Sequence, residues 1–293
     1  MEMTAHHPTA DGPTVHWVDV FATGPLSGNP LVVVMSDEHP AEGRMQAVAA
    51  ELGLSETVFA APGERPRIRI FTPVTEIPLA GHPVVGAAWV LAREGWTGAE
   101  AVLSTPGGDI PVCADRDTAR MTQSAPRHLG DVDATAVART LGGHAHGTVP
   151  VWHTGLPQVM IPVPDPTALR PDHEAVRALG QASGWAGVSA YVIRHRAPGA
   201  LRVEVRHFAA PIGIPEDPVT GSAAGALGAC LAATGHAKDG WLDLVVSQGA
   251  SLGRPGEVRV RVHAPGGHPQ SVQVGGAVVP VLSGRLCAAS AAG

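Results

Sequence analysis

The sequence predicts an α+β fold of two similar domains, each a curled, mostly antiparallel, barrel-like sheet around one central buried helix. Segments with the spacing of strands outnumber helical segments in both halves of the chain. Each half also contains one helical segment, at 84–93 and 222–233, that is apolar nearly all round. Such a helix is typical of one that is enclosed by a sheet rather than lying on a surface.

The first half predicts seven strands and two helices. The strands are expected at 15–21, 31–35, 56–60, 66–72, 101–104, 110–114 and 119–123, from alternating or β-branched residues between turn signals. A helix at 41–52 precedes Gly53, which suits a left-handed C-terminal cap. The apolar helix at 84–93 follows Gly-His-Pro and stops at Gly95.

The second half repeats this order. Strands are expected at 149–153, 159–163, 188–193, 201–208, 242–246, 257–262 and 271–281, with helices at 173–181 and 222–233. Gly81, Leu91 and Gly95 share their spacings of ten and four with Gly221, Leu231 and Gly235. Each apolar helix is preceded by a strand that begins with arginine, at 67–71 and 202–206. These matches indicate an internal duplication.

The expected division is a disordered tail at 1–13, an N-terminal domain at 14–130, a C-terminal domain at 131–286 and a tail at 287–293. Pro126, Gly130 and the glycine-rich loop at 142–147 favour a boundary between 125 and 150. The crossing point is left open, because the last strand could return to the first domain.

Composition narrows the class of protein. The 293 residues are 44% hydrophobic and 16% charged, as in a soluble globular protein. A net charge of −6 without a basic stretch argues against nucleic acid as a partner. The chain lacks a run of ~18 apolar residues, and its polar first residues do not resemble a secretory signal. We therefore expect a cytoplasmic protein without a membrane partner.

Several kinds of cofactor chemistry are disfavoured. Cys113, Cys230 and Cys287 are far apart, which predicts neither a disulfide framework nor a zinc site. His144 and His146 lie in a glycine-rich loop without a nearby carboxylate, so we expect no metal there. The sequence has no glycine-rich phosphate-binding motif. We expect no cofactor.

Three motifs could carry chemistry: Ser-Glu-Thr-Val-Phe at 55–59, Gly-His-Pro at 81–83 and Glu-Asp-Pro-Val-Thr-Gly-Ser at 216–222. The last two lie at the starts of the apolar helices, where free N–H groups and the helix dipole favour anions. If the halves face each other, both helix starts can hold one carboxylate. A nearby carboxylate or histidine side chain could then move a proton on an adjacent carbon.

Each motif also has a plain structural interpretation. Asp217 before Pro218 is typical of a helix N-cap. His82 could be a turn residue, Glu56 a solvated residue at a strand end, and Ser222 an ordinary first-turn residue. Taken singly, the patterns leave both interpretations open.

Taken together and in this order, the motifs resemble the PhzF family of phenazine-biosynthesis isomerases, which has the diaminopimelate-epimerase-like fold. Further matching segments are 19–21, 28–33, 69–73, 76–82, 221–227, 248–255 and 274–282, so the resemblance covers about 15–286. It implies that Glu56 is the acid–base catalyst and that His82 and Asp217 face it. It also implies substrate binding by the remaining helix-start residues, Gly81, Gly221 and Ser222. The family often has Thr where this chain has Val84.

The resemblance further implies a homodimer and a cofactor-independent isomerase. The expected reaction moves a proton and a double bond in a small unsaturated amino or hydroxy carboxylic acid, in secondary-metabolite or antibiotic biosynthesis. One alternative is a carboxylate-based epimerase or racemase of the same fold, although His82 and Asp217 stand where the thiols of cysteine-dependent epimerases lie. The other alternative is a non-catalytic protein that binds a small carboxylate.

Overall fold

The computed structural model describes residues 12–197 and 200–287. Residues 1–11 and 288–293, most of the two predicted tails, lie outside the described residues. Seven strands from the first part of the chain and one from its end form a barrel of eight strands, closed around helix α2 (Gly81–Arg93). In order around the barrel these are β1 (Thr14–Val20), β2 (Asn29–Met35), β3 (Thr57–Ala61), β4 (Arg67–Phe71), β6 (Glu100–Thr105), β7 (Gly108–Ala114), β8 (Thr118–Thr122) and β17 (Ser271–Arg285). The two-residue strand β5 (Glu76–Ile77) pairs with β4, and helix α1 (Glu42–Leu52) packs beside β3 and β4.

The rest of the chain forms a curved sheet around helix α5 (Gly221–Leu231). Its strands, in order, are β9 (Arg127–Asp133), β10 (Thr148–His153), β11 (Pro157–Pro162), β12 (Gly187–Ala197), β13 (Ala200–Ala209), β15 (Trp241–Gln248), β16 (Gly256–His263) and β17. Strand β14 (Ile214–Asp217) pairs with β13. Helices α3 (Ala134–Thr140) and α4 (His173–Ser183) pack against each other. The predicted fold class is confirmed.

The two sheets share one pairing scheme. Strands β2 and β3 run parallel, as do β11 and β12, and the parallel pair β4 and β6 matches β13 and β15. All other strand pairs are antiparallel. The first half of β17 pairs with both β16 and β8, and its second half pairs with β1, so this strand belongs to both sheets.

Burial explains why the central helices could be predicted. From His82 to Leu91 every residue of α2 is buried, and in α5 only Ser222 is not. Both helices begin earlier than predicted, at Gly81 and Gly221. The sequence does not predict strand β9, because it is mostly exposed and lacks an alternating apolar face. Helix α3, which has only seven residues, is not predicted either. None of the helices in the described ranges has the length and apolar content that a membrane span needs.

Candidate active site

Glu56 occupies a buried position at the entry to β3. The residue directly precedes Thr57, where the pairing of β3 with β2 begins, and it is 8% exposed. Among the described residues, its Oε2 atom has no hydrogen-bond partner. Burial raises the pKa of Glu56, because a desolvated carboxylate is penalised relative to the neutral acid. The side chain is therefore a stronger base than an exposed glutamate once it has lost its proton.

His82 faces this carboxylate from the first turn of α2. Its Nε2 atom lies 3.4 Å from Oε2 of Glu56, and both side chains are nearly inaccessible to solvent. Burial lowers the pKa of His82 to about 4, although the charge of Asp217 acts to raise it. At neutral pH the ring is therefore uncharged and can donate one hydrogen bond and accept another.

Asp217, the last residue of β14, completes this polar group. Its Oδ1 atom accepts a hydrogen bond of 3.1 Å from Nδ2 of Asn29, and its Oδ2 atom accepts one from the hydroxyl group of Thr220. Burial raises the pKa of Asp217 to about 6, and the charge of Glu56 acts in the same direction. The N-cap interpretation of Asp217 is wrong, because α5 begins after Thr220 and its N–H groups are not capped by a side chain.

The starts of the two central helices abut each other. A Cβ atom added to Gly81 would stand 3.1 Å from the backbone nitrogen of Ser222 and 3.5 Å from the Cα atom of Gly221. Glycine at position 81 therefore favours this close approach, since a side chain there would crowd the backbone of the facing helix start. The structure thus brings together all six residues that the sequence predicts for the site: Glu56, His82, Asp217, Gly81, Gly221 and Ser222. Their roles in binding and catalysis stay predictions.

Side chains from distant parts of the sequence hold this arrangement. Gln248 donates from Nε2 to the backbone carbonyl of Asp217 (2.8 Å), and Gln123 donates to the carbonyl of Gly221 (3.0 Å). The hydroxyl group of Thr154 donates to the carbonyl of Ser222 at 3.0 Å. Asn29 and Gln248 lie in segments that resemble the PhzF family, although the resemblance implies no role for them, and nothing in the local sequence indicates a role for Gln123 or Thr154.

Val84, the departure from the usual Thr, is fully buried in the large core cluster. In this position its side chain adds apolar contacts inside the barrel.

The described part of the chain contains no candidate metal site, because no three His, Cys, Asp or Glu side chains come together there as a metal ion would need.

Comparison with known proteins places this geometry in a family. A family model described as "Phenazine biosynthesis-like protein" matches residues 18–284. An uncharacterized isomerase of Mesorhizobium japonicum is 36% identical over 300 residues, which cover 92% of this chain and 96% of that protein. The chain belongs to the PhzF family.

Two further relatives agree with this membership. The trans-2,3-dihydro-3-hydroxyanthranilate isomerase of Pseudomonas chlororaphis is 32% identical, over 88% of this chain and 94% of that enzyme. A crystal structure of a PhzF-family protein from Bacillus anthracis matches with a TM-score of 0.83 and 26% identity, covering 94% of this chain and 99% of the other. This PhzF-family protein is accordingly an isomerase.

Proposed function

We propose that this enzyme moves a proton, and with it a double bond, within a small unsaturated amino or hydroxy carboxylic acid, using Glu56 as the acid–base group. The observation that carries the proposal is the buried carboxylate of Glu56, without a hydrogen-bond partner at Oε2 among the described residues, close to a neutral His82. The relative from Pseudomonas chlororaphis is named for a substrate of this chemical class.

The substrate carboxylate binds at the abutting helix starts. Backbone N–H groups in the first turn of a helix lack intrahelical acceptors, and the positive end of the dipole adds to their attraction for an anion. Pro83 contributes no N–H group, so α2 offers those of Gly81 and His82, while α5 offers those of Gly221 and Ser222. Two helices then share one anion.

The proton transfer needs no oxidant. Glu56 takes a proton from a carbon next to the double bond, the electron pair shifts the double bond along the chain, and the carboxylic acid form of Glu56 returns a proton to the carbon at the other end. The helix N–H groups stabilise the negative charge that develops on the conjugated carboxylate, as an oxyanion hole does. His82 and Asp217 bind the amino or hydroxyl group and fix which carbon faces Glu56.

Replacement of Glu56 by glutamine tests the proposal. We expect Glu56→Gln to lower turnover by about 10²- to 10⁴-fold, the usual contribution of a general base, with the fold intact by circular dichroism. The reaction is followed by proton NMR in D₂O with trans-2,3-dihydro-3-hydroxyanthranilate and a panel of other unsaturated amino and hydroxy acids. Deuterium that enters a carbon other than the one that loses its proton identifies the isomerase.

Glu51 supplies the matched control. It lies exposed on α1, outside the site, so Glu51→Gln makes the same chemical change without touching the proposed machinery. A Glu56→Gln variant that turns over at the rate of Glu51→Gln would contradict the assignment. Deuterium exchange only at Cα, with inversion, would instead identify an epimerase.

A further inference from the structure

Phe21 has an unusual backbone conformation at the end of β1. Its φ angle is 58°, in the left-handed region that a bulky residue rarely adopts. Two bonds to the second sheet hold it there: the carbonyl of Phe21 accepts from the N–H group of Glu257 (2.9 Å), and Ala22 donates to the carbonyl of Ala277 (3.2 Å). An unfavourable conformation that the surrounding structure enforces in this way is a common feature of functional sites.

The ring of Phe21 fills the space between β17 and the start of α5. The residue is fully buried. A Cβ atom on Gly221 would stand 3.0 Å from the ring atom Cζ, and one on Gly276 would stand 2.9 Å from Cδ1. The ring therefore crowds the space that a side chain at Gly221 would occupy, whereas at Gly276 the ring acts together with the backbone carbonyl of Glu257, which is 2.8 Å from the added Cβ. The ring forms a wall against Gly221.

The same glycine also adjoins the other helix start. The Cβ position of Gly221 that meets the ring is 3.9 Å from the carbonyl carbon of Gly81. The ring thus packs against Gly221 where α5 meets α2. Because it carries no hydrogen-bonding atom, it supports the backbone without competing for the N–H groups of Gly221 and Ser222.

We propose that Phe21 is a positioning residue of the anion site, whose ring fixes the start of α5 against the start of α2. This inference rests on the proposed function in so far as the anion is the substrate carboxylate. Its physical basis is that N–H donors stabilise an anion well only at about 2.7–3.1 Å. A small displacement of one helix start would therefore weaken binding without breaking the fold.

The test measures anion binding directly. Benzoate is titrated into ¹⁵N-labelled protein, and its Kd is read from the amide shifts of Gly221 and Ser222. We expect Phe21→Leu to raise this Kd by about tenfold, since the loss of one hydrogen bond to a charged group corresponds to a change of about that size in Kd. The matched control is Phe59→Leu, a buried phenylalanine in the cluster between β3 and α1, which should leave Kd within about twofold of the original.

Equal Kd values for the original protein and Phe21→Leu would overturn the proposal, and so would an equal rise in both variants, which would reflect general loss of packing. A measurement without any substitution tests the contact itself: nuclear Overhauser effects should join the ring protons of Phe21 to the Hα atoms of Gly221, and their absence would refute it. Because benzoate binding requires no turnover, failure of the proton-transfer reaction would leave these results unaffected.

A double-variant cycle gives an independent check. Gly221→Ala alone should weaken benzoate binding, because the new methyl group meets the ring at 3.0 Å. Adding Phe21→Leu should restore part of that loss, since the smaller side chain leaves room for the methyl group. Losses that simply add, as for residues that do not touch, would contradict the role of Phe21.

Discussion

Burial acts in opposite directions on the titratable side chains of the site. An apolar surrounding penalises the charged form of any group, so it raises the pKa of a carboxyl group and lowers that of an imidazole. The pKa values of Glu56 and Asp217 rise, that of Asp217 to about 6, while that of His82 falls to about 4. The proposed base therefore has a neutral neighbour and a raised proton affinity, the combination that removal of a proton from carbon requires.

Asn29 tunes the acidity of Asp217. Its hydrogen bond favours the charged carboxylate and lowers the pKa of Asp217 against the effect of burial. We expect Asn29→Leu, which removes the donor at similar size, to raise the pKa of Asp217 further above about 6, because the carboxylate loses a hydrogen bond that favours its charged form. The measurement is the ¹³C shift of the Asp217 carboxyl group as a function of pH.

Glu56→Gln is the opposing control for this titration. It removes a negative charge that raises the pKa of Asp217, so the midpoint should move to lower pH. A midpoint that falls or stays unchanged in Asn29→Leu, while Glu56→Gln lowers it, would show that Asn29 does not act through its hydrogen bond.

At the scale of the elements, the same arrangement of an arginine, a glutamate and a phenylalanine appears in both halves of the chain. Arg69 pairs through two nitrogens with Glu76, and Arg206 does the same with Glu216. Each guanidinium group also lies over the ring of the phenylalanine two residues later, at 5.3 and 5.0 Å from the ring centroids. Each glutamate precedes its helix-start glycine by five residues. The paired arginine thus fixes the segment that leads into each central helix.

This duplication also shows how far the sequence could predict the molecule. The strand at 67–71 was matched with 202–206, whereas the shared contacts align Arg69 with Arg206. The second half has three extra residues between the paired arginine and the glutamate, and this longer segment contains the short helical turn Ala210–Ile212. Such an insertion changes the spacing between matching residues, so a comparison of spacings alone misaligns the two halves. The central helices could be predicted because a helix that is buried on all sides has an apolar sequence, which is visible in the local sequence alone.

The supports of the site could not be predicted from local sequence. Asn29 bonds to Asp217 across 188 positions of the chain, and Gln123 bonds to Gly221 across 98. Such contacts depend on how the sheets are placed. The sequence around a single polar residue does not indicate which distant residue it will bond to. The helix starts and the acid–base residues were recognised because their motifs are contiguous.

Close packing around the central helix α2 explains why it contains glycine at position 86, and this explanation can be tested. A Cβ atom on Gly86 would stand 2.4 Å from Cδ2 of Leu31 and 2.8 Å from Cγ2 of Val20, both fully buried. We expect Gly86→Ala to lower the free energy of unfolding by about 1–3 kcal/mol through overpacking, despite the better helix propensity of alanine. Urea denaturation measures the change.

Gly43 provides the matched comparison on the exposed α1. It has open space around its Cβ position, so Gly43→Ala should stabilise the protein by up to about 1 kcal/mol. A Gly86→Ala variant that gains stability to the same extent would show that α2 is not held tightly by the barrel.

At the scale of the whole molecule, the two sheets are joined by more than the shared strand β17. Arg254, from the loop before β16, reaches into the first sheet and donates to Oδ1 of Asp19 at 2.6 Å and to the carbonyl of Gly28 at 2.9 Å. Asp19 is 1% exposed, and burial raises its pKa even though Arg254 acts to lower it. Gly28, whose carbonyl accepts this bond, directly precedes Asn29, so the connection between the sheets continues into the site.

Removal of Arg254 should therefore make stability depend on pH. In Arg254→Met the carboxylate of Asp19 is left buried without its partner, which costs about 3 kcal/mol. Because the folded-state pKa of Asp19 rises further above its unfolded-state value, the penalty is absent below the unfolded-state pKa, grows as the pH rises above it and levels off above the folded-state pKa. We expect the loss in unfolding free energy, measured by urea denaturation, to be larger at about pH 8 than at about pH 5.

Two comparisons isolate the buried charge as the cause. The double variant Asp19→Asn with Arg254→Met has no carboxylate to titrate, so its stability should lack the added pH dependence and should exceed that of Arg254→Met near neutral pH. Arg65→Met breaks the solvent-exposed ion pair with Asp109 and should change stability by less than about 1 kcal/mol. If Arg254→Met were no more destabilised than Arg65→Met at any pH, the ion pair of Asp19 and Arg254 would not hold the two sheets together, and the packing around β17 would carry that role.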